Sequence, residues 1–185
     1  MKQGRIDEDA TGDSLAAVLQ FGTQWAEEAQ REFAESDADW RPVLLLVTPD
    51  GSRLILDLPE CFFASGELKD VLALGVILAL RGVRAVAGAL VTSCWVSRAD
   101  RDDAERVRAF EAGEVVPARD PLAKEMVSII AVSERGTAIK WAVITRSLDD
   151  PPRLGEWTTE PCDGGDVAGR FVTALELGVR RSGRG

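Results

Sequence analysis

Apolar residues first recur at helical spacing. Leu15, Val18, Leu19, Gly22, Trp25, Ala26, Ala29 and Phe33 share one side, and Gln24, Glu27, Glu28, Arg31 and Glu35 share the other. This period predicts a helix capped by Asp13 or Ser14, running to about Ser36 and packing by one face. Two short apolar runs follow, 43–47 and 53–58, separated by Thr48-Pro49-Asp50-Gly51-Ser52. Pro presets a turn there and Gly supplies a positive φ, so the runs form a β-hairpin. A three-residue loop with a glycine bulge places Leu44 opposite Leu56 and Leu46 opposite Leu54 on a face that helices cover. It puts Leu45 opposite Ile55, Val47 opposite Arg53 and Val43 opposite Asp57 on the other face.

The stretch from Glu67 to Arg81, ELKDVLALGVILALR, has no polar face: every residue from Val71 to Leu80 is apolar or glycine. Ser65 caps this helix and Gly82 ends it. A helix apolar all round needs cover on several sides, so it belongs at the centre of the fold or at an interface. Residues 86–97, VAGALVTSCWVS, have strand composition; a helix continuing through Ala85 to Leu90 is disfavoured by Gly82 and Gly88. A short helix is expected over 102–111. Segment 98–124 is otherwise a long connection punctuated by Gly113, Pro117 and Pro121.

A second hairpin joins 126–134 to 137–146 through Arg135 and Gly136. A two-residue loop there places Ile130 opposite Trp141, Val132 opposite Ile139 and Ser128 opposite Val143, with Glu125 facing Arg146. After a Pro- and Gly-rich segment, 150–165, a last helix covers 166–180 with Val167, Phe171, Val172, Leu175 and Val179 inward. The expected architecture is α+β: one antiparallel or mixed sheet of about five strands packed with three main helices, the apolar one central. A single domain spans 13–180, between a disordered segment at 1–12 and a frayed tail at 181–185.

Composition narrows the chemistry. The chain has 185 residues, 45% apolar and 29% charged, as in an ordinary globular domain. Its longest apolar run, 71–80, is about half of the ~20 residues that cross a bilayer, and no secretory signal opens it, so no membrane contact and a cytoplasmic location are expected. The net charge of −9 opposes direct nucleic-acid binding. No histidine is present, which removes the usual base of serine and cysteine triads and the commonest nitrogen ligand of zinc. Cys61, Cys94 and Cys162 lack metal-ligand spacing and read as reduced, mostly structural thiols. Asp100, Asp102, Asp103 and Glu105 lack the EF-hand pattern and suit a helix start. Asp163-Gly164-Gly165-Asp166 suits a cap, since its aspartates repel phosphate. No catalytic residue, metal site or cofactor is assigned.

Trp95, Arg98, Glu125, Lys140 and Arg146 fall at strand ends beside segment 98–124, where an aromatic and polar groups could converge on a ligand or partner. The competing interpretation is an Arg–Glu cross-strand pair with a core tryptophan. Leu74 and Ile77 are the interface candidates on the apolar helix.

Val91-Thr92-Ser93-Cys94-Trp95, then Asp120-Pro121-Leu122-Ala123-Lys124-Glu125, then the strand 126–132, resemble a group of uncharacterised small proteins of bacteria and their phages. In that group a strand ending in a Ser-Glu-Ala-Trp-like motif precedes a polar loop, an acidic arginine-bearing segment and a strand hairpin. The similarity covers 68–146, fewer than half of the residues. Ser93 stands in place of the motif's glutamate and Cys94 in place of its alanine, so no role of that acid carries over. The resemblance implies no activity.

The expectation from sequence is a non-enzymatic protein that binds itself or another protein, of phage or mobile-element origin. Two rivals stand beside it. One is a small-molecule or metal-binding enzyme using carboxylates and arginines near 98–124. The other is an acidic inhibitor of a DNA-binding protein.

Overall fold

The computed structural model describes residues 14–33, 40–97, 102–112, 114–147, 150–162 and 170–180. The expected segments at 1–12 and 181–185, the first turn of the last helix and the Asp163–Asp166 group lie outside them. Among the described residues the helices are α1 (Ser14–Phe33), α2 (Gly66–Gly82), α3 (Ala104–Glu111) and α4 (Arg170–Arg180). The strands are β1 (Val43–Val47), β2 (Arg53–Asp57), β3 (Ala87–Val96), β4 (Lys124–Ser133), β5 (Gly136–Thr145), β6 (Arg153–Leu154) and β7 (Thr158–Cys162). All pairings are antiparallel, in the order β2-β1-β3-β4-β5-β6, with β7 also on β5. The fold is α+β as expected, but the sheet gains β6 and β7 from the Pro- and Gly-rich stretch. Gln30 Oε1 on α1 accepts the Leu154 N–H at 2.7 Å and so ties β6 to a helix.

The sheet is covered on both faces, which is why β1, Val-Leu-Leu-Leu-Val, is buried at all five positions. Val43, Leu45 and Val47 meet Ala89, Val91, Ile129 and the Val18–Ala26 side of α1. Leu44 and Leu46 meet Leu90, Val132, and the inner faces of α2 and α4. Trp40 is 2% exposed, and its indole N–H donates to Ala26 O at 2.9 Å, anchoring the return from α1 to β1.

The first hairpin has the expected register, from Val43↔Asp57 to Val47↔Arg53. Gly51 takes φ 79, and its N–H donates to Thr48 O at 2.9 Å. The second hairpin is displaced by two residues from expectation: Ile130 pairs Ile139, Val132 pairs Thr137 and Ser128 pairs Trp141. Its loop is Glu134-Arg135, because the Ser133 hydroxyl accepts the Arg135 N–H at 3.1 Å and Gly136, at φ 149, opens β5. A displacement of two keeps every side chain on its expected face.

The apolar helix is not central. Leu72, Val76 and Leu80 of α2 face the sheet, and α4 packs along its side, with Arg170 Nη1 2.7 Å from Asp70 Oδ1 at one end and Arg81 Nη2 donating to Leu177 O at 3.4 Å at the other. Its remaining side is open. The sheet lies below it, α4 beside it and the Glu60–Phe63 turn at its start.

Leu80 fixes the spacing of this layer. A Cβ on Gly178 of α4 would fall 2.8 Å from Leu80 Cβ, and one on Gly88 of β3 would fall 2.6 Å from Leu80 Cδ2. Gly178→Ala is therefore expected to lower stability by about 1–3 kcal/mol, measured by urea denaturation. On a Leu80→Ala background the extra cost should shrink, because the clashing atoms beyond Cβ are gone.

Candidate interaction surface

Ser65 starts α2 from an extended conformation, its hydroxyl accepting the Leu68 N–H at 3.2 Å. The chain leaves the helix through Arg84, at φ 52, and turns into β3. Opposite the buried row, Val71, Leu74 and Leu78 are 58%, 57% and 59% exposed. Their spacing, three then four residues, makes a continuous stripe on one helix face. Gly75 and Gly82 flank it, and a Cβ at either would meet nothing within 4 Å. Ile77 is half-buried against the core between the sheet and the α2–α4 layer, whereas Leu74 is exposed.

A second apolar area lies on β2. Leu54, Ile55 and Leu56 are exposed although β1 beside them is buried. The helical cover expected over this hairpin reaches Leu44 and Leu46 but leaves Leu54 and Leu56 open. The reason is placement: α4 contacts β3 and β4, while α2 lies beside α4 toward β1, with Leu80 over Gly88. The side of α2 away from α4 therefore faces the β2 edge.

The strand-end residues separate into two places. Trp95 pairs Glu125 in the β3–β4 register, and Arg146 holds Glu125 in a two-pronged ion pair, Nε–Oε2 and Nη2–Oε1 both 2.7 Å. That contact is diagonal, because the β4–β5 register closes at Met126↔Val143. Trp95 is half exposed and so is no core residue. Lys140 sits six residues back along β5, with its ammonium 5.4 Å from the Trp157 ring, whose N–H donates to Glu27 at 3.1 Å. Six residues of strand span roughly 20 Å, so Lys140 does not join the ion pair. Arg98 and Asp100 lie outside the described residues.

On the other face of the sheet, opposite α1, Val96, Leu122, Lys124, Met126, Trp141 and Val143 line a cleft of about 280 Å³. Trp141 and Leu122 were not singled out from sequence; only their bulk at a strand and loop position signals them. In segment 98–124, Asp103 accepts the Arg106 N–H at 3.0 Å and caps α3. Arg106 pairs with Asp120, which is almost enclosed. Burial pushes the Cys94 thiol up, which keeps it protonated. Cys61 is a free thiol, exposed on the 3-10 turn Glu60–Phe63.

The neighbouring Ser97 hydroxyl, the Leu122 N–H at 3.0 Å and the Arg106 guanidinium hold the Asp120 carboxyl below its ordinary value of 3.8. A lowered folded-state pKa stabilises the fold above the unfolded value, and that contribution disappears as pH falls through the lower folded value. Asp120→Asn should therefore lower stability at neutral pH and flatten its decline below about pH 4. Urea denaturation as a function of pH measures both effects. A decline as steep as that of the parent would contradict the assignment.

Comparison with family models, curated proteins and solved structures returns no match for this chain.

Proposed function

We propose that this chain is a non-enzymatic interaction module that binds a protein through the open side of α2. The observation that carries this reading is the Val71, Leu74, Leu78 stripe, in which three large apolar side chains are each more than half exposed. Covering them offers on the order of 1–2 kcal/mol each. Such contiguous exposure on an otherwise charged chain is a feature of interaction sites. Among the described residues no helix is long and apolar enough to cross a membrane.

A second reading is supported by the cleft at Trp141: a small apolar ligand could occupy it beside segment 98–124. The two readings differ in what a native mass spectrum contains. Binding through α2 predicts an assembly without added mass. Ligand binding predicts a monomer with a reproducible added mass.

Leu74→Asp separates an interface role from a core role. With Leu74 57% exposed, the variant should retain the parent's circular dichroism and lose less than about 1 kcal/mol of stability, while its assembly becomes smaller. An unfolded variant would mean that Leu74 is core. An assembly of unchanged size would remove self-association through α2.

A further inference from the structure

The open edge of the sheet names the partner, and this step rests on the interaction reading above. β2 ends the sheet path and, among the described residues, pairs with β1 only. Hydrogen bonds at both ends of the hairpin show which backbone groups point at β1. The Thr48 N–H donates to Ser52 O at 3.0 Å and the Leu58 N–H donates to Pro42 O at 2.9 Å. These groups alternate along a strand, so Leu54 and Leu56 also direct theirs to β1. Arg53, Ile55 and Asp57 direct theirs away from it.

The same five residues read Arg-Leu-Ile-Leu-Asp, with a leucine on either side of Ile55 and opposite charges at the two ends. We propose that a second copy of this chain pairs antiparallel with β2 across a two-fold axis at Ile55, extending the sheet from one copy into the other. In that register Ile55 meets Ile55, and Arg53 meets the second copy's Asp57. Each of these pairs exchanges N–H···O=C bonds both ways, because all three residues have outward-facing backbone groups. Leu54 meets Leu56 on the α2 face, at the closer, non-hydrogen-bonded spacing.

The charges choose this register. A shift by one residue about the axis, with Leu54 central, would also align outward groups but would set Arg53 against Ile55. Edge strands commonly resist pairing by carrying like charges. Here the two charged positions attract. Arg53 is already positioned on the α1 face, with its guanidinium 5.4 Å from the Phe21 ring and Nη1 donating to Gln24 Oε1 at 3.3 Å. Strand alternation puts Asp57 on that same face. The two-fold axis, perpendicular to the sheet, keeps both copies' α2 on one face of the joined sheet.

The test is sedimentation equilibrium of the full chain by analytical ultracentrifugation, beside circular dichroism to verify folding. The parent is expected to be a dimer. Ile55→Pro removes an N–H that β1 does not use, so it should give a folded monomer. Arg53→Asp and Asp57→Arg should each weaken the dimer on the order of tenfold or more, since both ion pairs become like-charged. Mixing these two variants should restore a heterodimer, which also shows that each folds, and the double variant should recover self-association. A dimer indifferent to Ile55→Pro and to both charge reversals, yet lost in Leu74→Asp, would overturn the strand pairing and leave the α2 reading standing. A monomeric parent at its highest soluble concentration would overturn the pairing and remove self-association from that reading.

Discussion

The layer formed by α2 and α4 depends on one side chain fitting into two absences. Leu80 reaches the sheet at Gly88 and meets α4 at Gly178, and neither neighbour could carry even a methyl group without displacing it. This close approach lowers both helices onto β1, β3 and β4. It buries Leu44, Leu46 and Leu90 beneath them. The same seating leaves the far side of α2 and the whole of β2 beyond the reach of α4. Exposure at Val71, Leu74 and Leu78 is thus the geometric counterpart of tight packing at Leu80.

The opposite face is organised differently. There α1 lies across β1, β3 and β4, with Gly22 against Ile129 and Trp40 bonded to the middle of the helix. Its outer residues hold the later chain: Gln30 bonds Leu154, and Glu27 bonds Trp157. One helix therefore both completes a core and places β6. The Glu125–Arg146 pair lies at the far end of this architecture and consists of satisfied charges, a bonding pattern that suits structure more readily than catalysis.

What could be read from sequence follows from how local each constraint is. Pro49, Asp50 and Gly51 determine a turn among themselves, so the register of the first hairpin was legible residue by residue. In the second, Arg135-Gly136 resembles a turn core, but the Ser133 hydroxyl shifts the turn by bonding Arg135. β6 and β7 carry no apolar alternation and exist through contacts with β5 and α1, which no short window contains. For α2 the difficulty was the reverse. With no polar residue from 71 to 80, periodicity cannot say which side is open, and only the position of Gly178, nearly a hundred residues later, decides it. Trp95, Glu125 and Arg146 were correctly placed at neighbouring strand ends, whereas Lys140 was not, because distance along a strand matters as much as sharing its face.

The two ends of the sheet are finished in different ways. On the β5 side the chain adds β7, whose Pro161 lacks a backbone donor and whose Glu160 brings charge. That rim is a poor template for another strand. The β2 rim has no proline and presents Leu-Ile-Leu. With copies paired through β2 as proposed, assembly stops at two, because the pairing uses the rim that a further copy would require.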